Sequence, residues 1–280
     1  MSDIRKFPCR ETPQLDLGKP PAVASEGFLS TMAQGMWAEE KLMEALSEDG
    51  EFTGIRYGQS RYNHNLISSK EEWKRYINKV YSQMAKYGKR PDILILKKSD
   101  ANGVPKDISE ESEEKIYCIV FKSIAAVECR SSAYYYGKYI KAREKEGKDL
   151  SITVKEEDIE RVKKWIMTYC DKPVIYLQIF FDKGFFITFD NILKLIEQKK
   201  KGIDVPGVRY EKVRRTGKNT YFIPMKYAQP ALIAEESPKI EAISIESWDG
   251  RVYAIVRPVR GRYKLTDKFK ETLRKIAGSH

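Results

Sequence analysis

Three acidic residues sit where an apolar pattern does not ordinarily hold a charge. Asp92 stands at the mouth of the apolar run ILIL (93–96), directly after Pro91. Glu128 ends the apolar stretch SIAAV (123–127) and is followed by Cys129 and Arg130. Glu39 falls on the apolar stripe of a long amphipathic segment, three residues after Met36 and four before Met43. A lone buried carboxylate is costly unless it is paired or bound to a cation. Two acids at the ends of adjacent strands, with a cation beside them, suit a hard metal such as Mg²⁺, which takes oxygen ligands and keeps several waters. That ion polarises a phosphate and lowers the pKa of an attacking water, while a neighbouring Lys or Arg neutralises developing charge. Asp92, Glu128 and Arg130 therefore have the residue types for phosphodiester hydrolysis. Each also has an ordinary reading: Asp92 as the start of a strand or turn, Glu128 and Arg130 as a surface i,i+2 pair, and Glu39 as a helix-edge residue facing water.

The elements that must position these residues follow from periodicity. Residues 1–24 are Pro-rich and aperiodic and read as an arm. Ser25 is a candidate cap for a helix through GFLSTMAQGMWAEEKLMEALSE, with Met32, Met36, Met43 and Leu46 on one stripe. TGIRYGQSRYNHN reads as a loop. SSKEEWKRYINKVYSQMAKYG reads as a second helix, capped by Ser69 and ended by Gly88. ILIL is a buried strand, and residues 97–114 are a polar insertion expected outside the core. KIYCIVFKSIAAVEC, rich in β-branched residues, predicts one bent strand or two. A helix is expected over SSAYYYGKYIKAREKEG, capped by Ser131 or Ser132. LSITV (150–154) is a short strand, EEDIERVKKWIMTYC an amphipathic helix, PVIYLQIFF a central strand and FDNILKLIEQKK a helix. From about residue 208 the pattern is mostly strands, closed by a helix over TDKFKETLRKIAG. The expectation is one domain over 1–280, with an α/β core at about 25–200 and a β-rich extension with a C-terminal helix at about 205–280.

Bulk properties bound the function. Lys and Arg number 51 against 40 Asp and Glu, a net charge of +11, which suits an anionic partner such as nucleic acid or simply aids solubility. Only His64 and His280 are histidines, which excludes zinc hydrolases and nucleases built on several histidines. The four cysteines (Cys9, Cys118, Cys129, Cys170) form no CxxC pair and read as free thiols of a cytoplasmic protein. No apolar run approaches a membrane span, and no signal-peptide core is evident near the N-terminus.

RPDILIL (90–96) followed by AAVECRSSAYYYGKY (125–139) resembles the PD-(D/E)xK nuclease signature, with Glu128 as second acid and Arg130 where Lys usually stands. The gap of 36 positions between Asp92 and Glu128 is long but accommodated by the polar insertion. The resemblance extends to AccI-type restriction endonucleases through QGMWAEE (34–40), LSITVKEEDIERVKKWI (150–166), VIYLQIFFDKGFFITFDNIL (174–193) and TGKNTYFIPM (216–225), in order. It implies a restriction-endonuclease-like mixed β-sheet core flanked by helices. It also implies Mg²⁺ held by Asp92, Glu128 and the backbone carbonyl of Cys129, with Glu39 adding a more distant or second-metal contact. Arg130 stays protonated and is a poor base, so Lys155 becomes a candidate for the missing ammonium, or else a solvated residue at a helix start.

Double-stranded DNA is the expected partner. Ser131, Ser132 and Lys138 are candidates for phosphate contacts next to the catalytic strand. Arg214, Arg215, Lys218 and Asn219 cluster at a turn as a second candidate contact, and RYGQSRYNHN (56–65) is a third. The leading reading is a type II restriction endonuclease cutting at a short sequence as a homodimer. A repair or recombination nuclease of the same fold, and a DNA-binding protein inactivated by the change to Arg130, are the alternatives.

Overall fold

A computed structural model describes residues 26–59, 69–147, 149–214, 216–246, 250 and 252–278. The architecture is mixed α/β, a mixed sheet flanked by helices on both faces. Second from one edge of the sheet is the apolar strand β2 (Ile93–Lys97), in which Ile93 and Ile95 face one layer and Leu94 and Leu96 the other. A strand buried on both faces reads as a continuous apolar run, which is why ILIL is unmistakable. Its neighbours are β1 (Phe52–Arg56), antiparallel, and β3 (Ala125–Ser131), also antiparallel. Parallel to β3 runs β5 (Val174–Ile179), followed by β6 (Lys183–Thr188), β9 (Gln229–Glu236) and β12 (Arg262–Leu265). The order β1-β2-β3-β5-β6-β9-β12 shows that two strands from the C-terminal third belong to the main sheet.

On one face lie α1 (Glu26–Asp49) and α7 (Asp267–Gly278), packed through Trp37, Leu42, Leu46, Phe269 and Leu273. The other face carries α3 (Glu113–Lys122), α5 (Glu156–Thr168) and α6 (Phe189–Lys200), packed through Ile116, Val162, Trp165 and Ile192. A smaller sheet joins β4 (Ser151–Lys155), β8 (Lys218–Pro224) and β7 (Arg209–Val213), and covers this second layer. The ribbon of β10 (Lys239–Glu246) and β11 (Val252–Val259) packs Tyr253 and Ile255 against Leu29 and Ala33 of α1. The second helix, α2 (Lys70–Tyr87), begins and ends as the sequence indicates. Ser69 accepts a hydrogen bond from the Glu72 amide, and the Gly88 N–H donates to Met84.

Four sequence expectations need correction. The stretch read as a loop holds all of β1 but its first residue; Phe52 and Ile55 are buried, and Thr53 and Gly54 between them mask the alternation. KIYCIVFK is helix rather than strand. Ile116 and Val120, four apart, are buried while Tyr117 and Phe121 are exposed, so helical spacing prevails over β-branched content. Ser131 ends β3 instead of capping a helix; α4 starts only at Tyr136 and runs to Lys145, its Tyr136 N–H donating to Asp182 Oδ1 at 2.6 Å. The polar insertion is partly buried. Along the edge of β1 the Arg56 N–H donates to the Lys106 carbonyl and the Ile108 N–H to the Arg56 carbonyl, and Ile108 joins the core. The buried face of α1 is Leu29, Ala33, Trp37, Ala38 and Leu42, with Met32, Met36 and Met43 flanking it.

Candidate active site

Because β2 and β3 are antiparallel, the start of one lies beside the end of the other. The register pairs Ile93 with Val127, so Asp92 and Glu128 meet although 36 positions separate them. Asp92 Oδ2 accepts the Cys129 N–H at 2.7 Å. Its own carbonyl accepts from the N–H groups of Tyr57 and Gly58, at 2.9 and 3.0 Å. Gly58 is needed for this approach, since a Cβ there would lie 2.9 Å from Asp92 Cα.

Glu128 is 2 % exposed and receives two cations on one oxygen. Lys89 Nζ stands 2.6 Å and an Arg130 terminal nitrogen 2.8 Å from Oε1. Both cations also face Asp158 on α5, at 3.5 and 3.8 Å. Despite burial, Lys89, Arg130 and Lys155 hold the Glu128 carboxyl below its ordinary range, so it stays ionised. Its second oxygen, Oε2, is buried and has no hydrogen-bond partner among the described residues, and the same holds for the Tyr176 hydroxyl. Tyr176 sits beside Glu128 in the β3–β5 register.

Asp92 is in the opposite condition. Burial first, then the charges of Glu128 and Glu39, push its carboxyl well above the usual range. Glu39 also acts on the Cys129 thiol, which burial pushes well above its ordinary value. That thiol is therefore a poor thiolate nucleophile. The structure thus brings Asp92, Glu128, Cys129, Arg130 and Glu39 together, with Lys155 close enough to act on Glu128. Arg130 is pushed further above its already high range by Glu128 and Asp92, against the effect of burial, and so remains a cation.

The proposed DNA contacts spread more widely. Ser131 is half-buried at the end of β3, and the Ser132 hydroxyl accepts from Gln178 Nε2 at 3.0 Å. Lys138 is exposed on α4, 5.3 Å from the Tyr135 ring. Arg214 is exposed at the β7–β8 turn, and Arg215 lies outside the described residues. Pairing of β4 with β8 places that hairpin beside α5, where Lys218 pairs with Glu157 and Asn219 donates to Glu156 at 3.1 Å. Most of the loop at 56–65 lies outside the described residues, as do the arm at 1–24 and Cys9. Cys118, Cys129 and Cys170 are free.

Two site residues escaped the sequence reading, Lys89 and Asp158. Lys89 directly precedes the RPD segment, and its signal was its position between a helix-ending glycine and that segment. Asp158 falls on the stripe of Val162 and Trp165, four and seven residues on, the same anomaly that marked Glu39. It was hidden because acids are ordinary in the first turn of a helix.

Among known proteins, a solved nuclease from a fusselovirus is similar to the chain with 11 % identity and a TM-score of 0.36, over 75 % of this chain and 90 % of that one. No curated protein matches the chain. No helix among the described residues is long and apolar enough to cross a membrane. The sequence profile of the AccI restriction endonuclease family matches residues 10–150 and 140–274, reaching beyond the segments that resemble the family by eye into the arm and the C-terminal strands. With nearly its whole length matched, the chain belongs to the AccI restriction endonuclease family.

Proposed function

We propose that this protein is a type II restriction endonuclease that hydrolyses phosphodiester bonds of double-stranded DNA at a short sequence, with Mg²⁺ held by Asp92 and Glu128 in a PD-(D/E)xK-like core. The observation that carries the reading is the buried Oε2 of Glu128, without a hydrogen-bond partner among the described residues, beside an Asp92 carboxylate disfavoured by burial and then by neighbouring acids. A buried acceptor without a donor, next to like charges, fits a cation. The donors are oxygens, as Mg²⁺ prefers. Within an extended strand a residue's N–H and C=O point to the same edge, so the Cys129 carbonyl turns toward Asp92 along with its N–H. Among the described residues no three His, Cys, Asp or Glu side chains form a metal cluster. The proposed set leaves its other positions to water and phosphate.

Bound there, Mg²⁺ would polarise the scissile phosphate and ease deprotonation of a water. Arg130, tied to Glu128 and Asp158, neutralises charge on the phosphate without giving up its proton. Glu39, whose charge acts on Asp92 and Cys129, adds a more distant acidic contact to the bound cation. Ser131, Ser132 and Lys138 hold phosphate oxygens near the cut, with Lys155 supplying a further positive charge at the start of α5. Arg214, Arg215, Lys218 and Asn219 approach from the hairpin, Lys218 and Asn219 exchanging Glu157 and Glu156 for DNA. A homodimer presents two such sites to a two-fold sequence. Incubating the protein with plasmid DNA of known sequence and mapping the fragment ends tests the reading. Discrete fragments ending at one short sequence, formed with Mg²⁺ and absent with EDTA, are expected. Cleavage of branched junctions without sequence preference, or no cleavage with either metal condition, would refute it.

A further inference from the structure

The segment that leads into Asp92 is pressed onto α5. Gly88 has φ +90°, and a Cβ there would lie 2.2 Å from the Trp165 nitrogen and 2.5 Å from the Arg161 oxygen. The Lys89 N–H donates to that same Arg161 carbonyl at 3.0 Å. With its backbone so fixed, Lys89 sends its side chain to Glu128 Oε1 at 2.6 Å and Asp158 Oδ2 at 3.5 Å. We propose that Lys89 is a catalytic residue, the ammonium that the motif lacks at Arg130, and that Asp158 is its positioning residue. This rests on the reading of Asp92 and Glu128 as the nuclease centre.

Three observations support it. The Lys89 side chain is 18 % exposed and that of Arg130 30 %, against 3 % and 8 % for Glu128 and Asp158, so the two cations together form the outward side of the cluster. An ammonium has three N–H donors. Glu128 takes one in a hydrogen bond and Asp158 faces the ammonium at 3.5 Å, so a donor is left for a phosphate oxygen or an attacking water. Asp158 is a second anchor, so Lys89 keeps its place when Glu128 engages a cation through its other oxygen. Arg130 reaches the same two acids but offers a planar fork instead of a compact point charge, and the two are not interchangeable. Throughout the reaction Lys89 stays a hydrogen-bond donor and no proton leaves it.

The test compares Lys89→Met, Lys89→Arg, Asp158→Asn and Asp92→Ala in single-turnover cleavage with Mg²⁺. DNA binding in EDTA and thermal melting are measured on the same samples. Lys89→Met is expected to lower the cleavage rate by about 10²-fold or more, the scale of losing one preorganised donor, with DNA affinity within about twofold of the parent. Lys89→Arg, which keeps the charge, is expected to recover part of the rate but remain about tenfold slow. For Asp158→Asn the expected loss is about tenfold in rate, with affinity unchanged. If Lys89→Met does not fold, Lys89→Arg decides. A wild-type rate in either Lys89 variant overturns the proposal, as does a loss confined to DNA affinity. An Asp92→Ala protein that still cuts removes the underlying site, whereas an inactive Asp92→Ala beside a fully active Lys89→Met removes only the role of Lys89.

Discussion

Arg90 and Lys89 are adjacent in the chain, and each reaches a buried glutamate, yet the two ion pairs are built differently. Arg90 Nε donates to Glu113 Oε1 at 2.5 Å, and its terminal nitrogens reach the Ser109 and Glu111 carbonyls at 3.2 and 2.9 Å. The other oxygen of Glu113 accepts from the Tyr169 hydroxyl. Tyr57 lies under the guanidinium at 5.0 Å and accepts from Trp165 at 2.9 Å. Both Glu113 oxygens are thus bonded. Glu128 crowds two cations onto one oxygen and leaves the other with none among the described residues. The first pair is complete and holds the segment before Asp92 in place. The second leaves one carboxylate oxygen open among the described residues, and it is there that the proposed function seats a cation. A closed polar network is the mark of structure, and a half-open one at the end of a strand is the mark of a site.

The contrast breaks most sharply in paired variants. Glu128→Gln should abolish cleavage, by roughly 10³-fold or more, since several kcal/mol of metal-assisted stabilisation are lost. Its melting temperature should fall as well, because the carboxyl held below its ordinary range despite burial favours the fold when ionised, and Lys89 and Arg130 lose that charge. Glu113→Gln should destabilise without abolishing cleavage. Removing one partner of a buried pair costs about 3–5 kcal/mol, read by urea denaturation, while cleavage below the transition falls less than about tenfold. Equal effects on activity in both would erase the distinction.

Gly88→Ala sharpens it, because Gly88 joins the two pairs. With φ +90° and backbone atoms at 2.2 and 2.5 Å from the added carbon, the strained position should lose about 1–3 kcal/mol. A shift of about 1 Å in Lys89 should also slow cleavage by about 10²-fold. Comparing rate and denaturation midpoint in one preparation checks both.

Asp92→Asn tests the carboxylate whose ionised form is disfavoured by burial and by Glu128 and Glu39. A raised carboxylate pKa means that the ionised form opposes folding at neutral pH. Removing the charge should therefore stabilise the metal-free protein, by about 0.5–2 kcal/mol. For a chain of this size that is roughly 2–4 °C per kcal/mol in Tm. The gain should be seen in EDTA and should shrink at acidic pH, where the parent Asp92 is already protonated. A lower Tm in EDTA would mean that the ionised Asp92 carboxylate supports the fold, as Glu113 does. Smallest of all, Lys138→Ala should weaken DNA binding a few-fold and reduce the salt dependence by about one phosphate contact, as measured by anisotropy at several salt concentrations.

Much of this organisation is legible in the sequence. An acid on an apolar stripe marked Glu39, Asp92 and Glu128, because such positions conflict with burial. The helix from Lys70 to Tyr87 was readable from Ser69 and Gly88, whose caps are local. Other features depend on partners distant in sequence. The β1 strand is defined by its pairing with β2 and not by its own alternation. The first turn of α4 is capped by Asp182, 46 residues away. The helical state of KIYCIVFK shows only when its burial is known. Lys89 and Asp158 converge through the packing of α5 on residues 88–89, which no local pattern encodes.

The most direct test of the central claim is the rate of plasmid cleavage across a Mg²⁺ titration for the parent protein, Asp92→Ala and Glu128→Ala, with folding checked by thermal melting. The account requires cleavage that rises with Mg²⁺ in the parent and stays at background in both folded variants at every concentration. Cleavage by either variant at the parent's rate would contradict it.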